Sequence, residues 1–212
     1  MVADGQREGR GRMGRTWVSP AGGNLYASFV LRPGRPPDQL AGLTLAAAVA
    51  FAEALEGLGA AVTIKWPNDL LLGGRKLGGV LTELYASNPE SAYVIVGVGL
   101  NLASAPADLP DGATAASLAQ LPGGPPDRDR LVVALRDRLL AVTERFDAGG
   151  FPAVRPDWER RWRHRGRRVV ASLPGAEPLE GTAVAVDDEG ALLLDVGAPS
   201  PVRVTAGDVE AL

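Results

Sequence analysis

The sequence predicts an α+β protein: a mixed β-sheet with flanking helices, followed by a small β-barrel. Three observations carry this. Short apolar runs at 24–31, 61–66, 81–86 and 92–99, the first of them alternating, read as strands. Two longer segments with helical periodicity interleave with or follow them, at 38–58 and 129–146. After Gly166 the texture changes to strand-length runs separated by tight turns such as Asp187-Asp188-Glu189-Gly190.

Taken in order, the first 22 residues form a basic, glycine-rich loop, and Asn24 to Leu31 is a strand. Asp38 is placed to cap a helix running to Leu58, with Leu40, Leu43, Ala47, Phe51, Ala54 and Leu58 on its apolar face and Gly59 at its end. Ala61 to Trp66 is a strand. Pro67 to Arg75 is a turn-bearing excursion. Leu81 to Ala86 and Ala92 to Gly99 are strands, the second apolar enough to be buried. Residues 103–127 are weakly patterned, with a short helix near Ala115 to Gln120. Asp129 leads a helix whose stripe is Leu131, Leu135, Leu139, Val142 and Phe146. Pro156 opens a short helix that sets Trp158 and Trp162 one turn apart, as packing aromatics. The barrel strands are expected at 169–173, 182–186, 191–196 and 202–205. The domain boundary falls between residues 163 and 164, giving domains 1–163 and 164–212.

Composition removes several function classes. The chain has 212 residues, 46% apolar and 22% charged, a globular profile. It has no cysteine, which excludes disulfides, thiolate metal sites and a cysteine nucleophile. It has one histidine, His164, so a histidine-rich metal site has no basis. The longest apolar run, Leu45 to Ala52, is too short to span a bilayer, which takes about 20 residues. The opening residues are charged and glycine-rich, unlike a signal peptide. No membrane association and a cytoplasmic location are expected. The net charge of −3 does not call for a nucleic-acid partner.

Residue scarcity points to the site. Of 22 basic residues only Lys65 and Lys76 are lysines. A chain that uses arginine almost everywhere keeps a compact ammonium where a planar fork does not substitute. Asparagine is also scarce: Asn24, Asn68, Asn88 and Asn101.

Three strings carry chemistry. Gly9, Gly11 and Gly14 match G-x-G-x-x-G, but too little chain precedes them for a strand, and the string ends in Ser19-Pro20 rather than a helix. A dinucleotide fold is rejected. Arg7, Arg10, Arg12 and Arg15 interleave with these glycines, so the loop can approach and hold an anion. A basic nucleic-acid-binding segment and a solvated basic tail are the alternatives. Lys65-Trp66-Pro67-Asn68-Asp69 and Arg75-Lys76-Leu77-Gly78-Gly79 gather both lysines, an asparagine and a carboxylate within fifteen residues. Gly97-Val98-Gly99-Leu100-Asn101 ends a buried strand, where glycine marks close approach of a ligand or backbone.

In this order and spacing the strings resemble the catalytic core of biotin–protein ligases. The G-R-G-R-x-G-R-x-W-x-S-P loop is Gly9 to Pro20, and G-x-N-L-Y-x-S is Gly22 to Ser28. K-W-P-N-D is Lys65 to Asp69, R-K-L-x-G is Arg75 to Gly79, and G-x-G-x-N is Gly97 to Asn101. The resemblance spans nearly the whole chain. It implies a class II synthetase-like catalytic fold of the biotin/lipoate ligase type and a C-terminal SH3-like domain. It also implies that the upstream part of the usual catalytic domain, and a DNA-binding domain, lie outside this chain, so no DNA partner is expected.

The implied activity joins biotin to a lysine of an acyl-CoA carboxylase carrier domain, using ATP and Mg²⁺. Lys76, Arg12 and Asp69 are the implied catalytic residues. Gln6, Gly9, Arg10, Gly11, Arg12, Lys76 and Gly79 are implied to bind biotin. Arg15, Trp17, Lys65, Asn68 and Asn101 are implied to bind ATP, and Asp69 to help hold magnesium shared with its phosphates. A homodimer is compatible with the resemblance. A lipoate or octanoate ligase of the same fold is the second reading, and a truncated, inactive ligand-binding domain the third.

Overall fold

The structure is a computed structural model that describes residues 1–86, 91–107 and 114–212. Asn88 and part of the weakly patterned stretch fall outside the described residues. The α+β expectation holds, with differences that matter for the site.

The larger sheet has six strands: β1 (Val2–Ala3), β2 (Leu25–Leu31), β3 (Val62–Lys65), β4 (Asp69–Leu72), β5 (Arg75–Tyr85) and β6 (Tyr93–Leu100). Their order is β1-β2-β6-β5-β4-β3. The sheet was expected to be mixed, but every ladder in it is antiparallel. Parallel pairing enters only as isolated bridges, Ile64 with Trp162 and Lys76 with Ala115. Strands β3, β4 and β5 follow one another through short turns, as antiparallel pairing permits, whereas the helix at Leu43–Glu56 lies between β2 and β3, which are not neighbours in the sheet.

Helix α1 (Leu43–Glu56) packs on one face of this sheet. Its alanines Ala46 to Ala48, Ala50 and Ala52 are at most 1% exposed, so small side chains let helix and sheet approach closely. Helix α2 (Arg128–Gly149) covers α1 with the expected stripe, every member of which is buried. Helix α3 (Arg155–Arg161) fills the end of that layer, and its Arg161 guanidinium bonds Glu56 of α1 at 2.8 Å. The Trp158 and Trp162 rings pack 5.1 Å apart in the core, as expected.

Several elements depart from the sequence reading. Helix α1 begins at Leu43, not at Asp38, which lies in a separate 3-10 turn. Gly42 separates the two: its φ is +82°, and a Cβ there would lie 2.7 Å from Phe151. The excursion after Pro67 contains strand β4, because Leu70 and Leu71 are buried in the sheet. Strand β5 starts at Arg75, six residues earlier than expected. A Cβ on Gly78 would sit 2.4 Å from the Gly99 carbonyl, so glycine is what lets β5 and β6 meet there.

The C-terminal strands are β7 (Arg168–Ser172), β8 (Leu179–Val186), β9 (Leu192–Asp195), β10 (Val202–Val204) and β11 (Asp208–Ala211). They form one antiparallel sheet in the order β10-β9-β8-β7-β11. Strand β11 has no counterpart in the sequence reading. This sheet is seated on the β3 end of the larger one. The Trp66 indole donates to the Gly190 carbonyl at 3.0 Å, and the Arg163 amide donates to the Ile64 carbonyl at 2.9 Å.

Candidate active site

Strand β6 alternates strictly between buried and half-buried residues. Its buried members face α1. Its other face carries Ile95, Gly97 and Gly99, which line a cavity of about 380 Å³ together with Gly79, Leu81 and Glu83 of β5. That volume suits a small-molecule ligand. The glycines leave this face of the sheet without side chains at these positions.

The basic loop forms the roof. It is an ordered hairpin-like excursion. The Gln6 amide donates to the Ser19 carbonyl at 3.1 Å, Trp17 to Gly9 at 2.8 Å, and Gly11 to Arg15 at 2.7 Å. A Cβ on Gly9 would meet the Trp17 carbonyl at 2.3 Å, so this glycine shapes the loop. Gly9 is not among the cavity-lining residues, whereas Gln6, Arg10, Gly11, Arg12, Arg15 and Trp17 are. The Gln6 side-chain oxygen accepts from the Ser19 hydroxyl at 2.7 Å.

Trp17 turns its indole down onto the bare floor. A Cβ on Gly99 would lie 2.5 Å from its Nε1, and a Cβ on Gly79 3.7 Å from its ring. Its Nε1 is buried against that floor without a hydrogen-bond partner.

Lys76 reaches this chamber through a register shift. Counting back by twos from Gly79 arrives at Leu77, not Lys76. The β4–β5 ladder shifts between Leu70 and Leu71, and Leu77 is the extra residue. The bulge turns Lys76 to the chamber face and buries Leu77 in the core. The Lys76 ammonium lies 2.9 Å from Asp69 Oδ1 and 5.7 Å from the Trp17 ring centroid. Its backbone is fixed on both sides: the Lys76 amide donates to Thr114 at 2.9 Å, and Ala116 donates to the Lys76 carbonyl at 2.8 Å. Asn101 reinforces this, its amide nitrogen donating to the Ala116 carbonyl at 3.0 Å. Asn68 acts similarly, donating to the Val80 carbonyl at 2.7 Å while its oxygen accepts from Arg12 at 3.4 Å.

Lys65, like Gly9, stands apart from the other expected site residues. It does not line the cavity, and its ammonium pairs with Glu210 of β11. That pair links the two sheets.

Sequence reasoning missed the contribution of β11. The Arg12 guanidinium donates to the Gly207 carbonyl at 3.2 Å and lies 3.7 Å from Asp208, while Arg15 pairs with Asp208 at 2.8 Å. Burial lowers the Arg12 pKa, and the Asp208 charge opposes that shift. Arginine stays protonated regardless. The only available signal was the Asp208-Val209-Glu210 alternation at the chain's end. Among the described residues, no group of three or more histidine, cysteine or acidic side chains could hold a metal, and no helix is long and apolar enough to cross a membrane.

An antiparallel sheet with a bare glycine face, one lysine on that face and an arginine loop above it form a basic-roofed cavity of small-molecule size. The chain's similarity to known proteins identifies its family. The family model for the biotin/lipoate A/B protein ligases matches residues 1–101, and that for the biotin protein ligase C-terminal domain matches 164–211. The chain is 38% identical over 217 residues to the bifunctional ligase/repressor BirA of Bacillus subtilis, covering 99% of this chain and 65% of that one. It is 37% identical over 214 residues to the biotin–[acetyl-CoA-carboxylase] ligase of Mycobacterium tuberculosis, covering 99% of this chain and 77% of that one. The structure of the Aquifex aeolicus biotin protein ligase in complex with biotin and ATP superposes with a TM-score of 0.80 at 27% identity, covering 99% and 86% of the two chains. The chain belongs to the biotin/lipoate protein ligase family.

Proposed function

We propose that this chain is an ATP-dependent biotin–protein ligase. The observation that carries the reading is Lys76, turned by a bulge onto the glycine floor, 2.9 Å from Asp69 and beneath the arginine loop. In the first half-step the biotin carboxylate attacks the α-phosphorus of ATP and pyrophosphate leaves. Two anions must meet, and Lys76 is the cation placed between them. A preorganised cation at developing charge contributes about 3–4 kcal/mol. In the second half-step the neutral amine of a carrier lysine attacks the mixed anhydride, AMP leaves, and the amine's proton is lost. Asp69 is positioned to take that proton.

Gln6, Arg10, Gly11, Arg12 and Gly79 enclose biotin in this reading, with Gly9 shaping the loop above it. A closed loop also keeps water from the anhydride. Arg15 meets the phosphates, Trp17 lies against the nucleotide, and Asn68 and Asn101 hold the Arg12 and Lys76 segments in place. A single carboxylate does not cage a magnesium ion, so Asp69 would hold one jointly with the phosphates. The ion would add charge neutralisation to what the lysine provides. Residues 1–163 form the ligand-binding unit and 164–212 the C-terminal unit. The acceptor is the biotin carrier domain of an acyl-CoA carboxylase, since the Mycobacterium tuberculosis relative is named for acetyl-CoA carboxylase.

The test mixes the chain with biotin, Mg-ATP and an apo carrier domain and reads the carrier's intact mass. A gain of one biotinyl group, undiminished by excess lipoate, is expected. Modification by lipoate in place of biotin would move the assignment to the sister activity.

A further inference from the structure

Asn24, one of four asparagines in the chain, does not line the cavity, yet it is only 4% exposed. It lies one step beyond the Leu25–Leu100 pair that ends the β2–β6 ladder, so the register sets it opposite Asn101. Its side-chain oxygen accepts from two backbone amides, Leu102 at 2.9 Å and Ser104 at 3.4 Å. The Ala103 amide between them donates to the Gly23 carbonyl at 2.8 Å. Three consecutive amides just after β6 are therefore held by the two residues just before β2.

The backbone is shaped for this grip. Gly23 has φ +88°, a conformation that favours glycine, and a Cβ there would lie 3.1 Å from that of Ala103. Leu102 is buried, so losing the Asn24 oxygen would leave its amide without an acceptor. The held segment continues directly into the lysine's surroundings. The Asn101 amide donates to the Leu77 carbonyl at 2.9 Å, and the Asn101 side-chain nitrogen donates to the Lys76 carbonyl at 3.4 Å. Leu77 is the bulge residue that turns Lys76 onto the chamber face.

We propose that Asn24 is a positioning residue for Lys76. It holds the backbone of residues 102–104, which fixes Asn101 against Leu77 and keeps the bulge in the register that aims the Lys76 ammonium into the cavity. Asn24 itself touches no substrate. A misplacement of about 1 Å at a reacting group costs on the order of 10²-fold in rate, so a bond this far from the chemistry still governs it. The apolar core beneath α1 does not depend on the Asn24 oxygen, which bonds only the segment that follows β6.

The inference rests on the ligase reading only for its kinetic arm, and backbone amide hydrogen exchange supplies an arm that needs no activity. Asn24→Ala removes the acceptor, and amide exchange at Leu102 and Ser104 in the full chain should quicken about tenfold. The Asn101 amide, which is bonded to Leu77 and not to Asn24, should quicken with them. A purely local role would leave Asn101 unchanged. Below the unfolding transition of each variant, kcat for biotin-dependent pyrophosphate exchange should fall about 10- to 100-fold in Asn24→Ala, with a smaller change in the KM for biotin. Asn24→Asp, whose carboxylate accepts the same two amides, should recover most of both effects. Ser104→Pro, at an exposed position, removes one donor and leaves Asn24 in place, so it should move both readings the same way by less, and it carries the test if Asn24→Ala does not fold. Unchanged Asn101 amide exchange in the folded variants, or wild-type kcat while the Leu102 and Ser104 amides exchange faster, would overturn the proposal. A wild-type chain without pyrophosphate exchange would count against the ligase reading, and the Asn101 amide would still decide whether Asn24 holds the lysine's surroundings.

Discussion

The two faces of strands β5 and β6 are made from the same residues in alternation and do opposite things. On one face Val80, Val94, Val96, Val98 and Leu100 are at most 4% exposed beneath α1. On the other face Gly79, Gly97 and Gly99 present bare backbone to Trp17 and the cavity. One face is stable because its side chains fill space, as close packing requires. The other is useful because its side chains are missing. A two-residue period lets one strand serve both ends, and a single bulge decides that Lys76 lies on the useful side.

Substitutions on the two faces should therefore separate activity from stability. Lys76→Ala should lower the rate of carrier modification by about 10² to 10³ and leave thermal unfolding nearly unchanged. Lys76→Arg should not restore it, because a guanidinium fork does not replace a compact ammonium between two oxyanions.

Gly99→Val places atoms within the Trp17 indole and should raise the KM for both small substrates by more than about tenfold, at a stability cost of about 1–3 kcal/mol. Leu55→Ala on α1 should do the reverse. It should cost about 2–5 kcal/mol in denaturant unfolding with KM unchanged. Equal effects on KM from these two variants would break the comparison of faces.

A smaller effect comes from the junction between the sheets. His164 is pushed down to about 4 from its ordinary 6.5, first by burial and then by Lys65, Arg163 and Arg167. The folded protein holds it neutral, while the unfolded chain protonates it below about pH 6.5. Its contribution to stability is therefore complete above pH 6.5 and declines as pH falls to about 4. Urea midpoints measured across that window should fall with pH, and His164→Gln should flatten that part of the profile.

The smallest effect is at the start of α2, where the Asp127 carboxylate accepts from the Arg130 amide at 2.9 Å. Asp127→Ala should cost about 1 kcal/mol with no kinetic consequence.

Sequence legibility followed the range of each interaction. The α2 stripe and the apolar run of β6 are local patterns, and both were readable as elements. The loop, the lysine segment and the Gly97–Asn101 string were readable because each concentrates unusual residues. The two lysines are equally rare, yet their placements differ. Lys76 reaches the chamber through a bulge that shifts the register at Leu77, and Lys65 pairs with Glu210, 145 residues away. Neither fact has a local signature. The strand expected from Leu81 takes in Gly78-Gly79 because β6 and Trp17 approach there. Asp208 was invisible for the same reason as Lys65: its partners lie at the other end of the chain.

The most direct test of the central claim needs no carrier. The chain is incubated with biotin, Mg-ATP and labelled pyrophosphate, and label entering ATP is measured. The account predicts exchange that requires biotin, is not supported by lipoate, and is lost in Lys76→Ala. Exchange that persists at the wild-type rate in Lys76→Ala would contradict it.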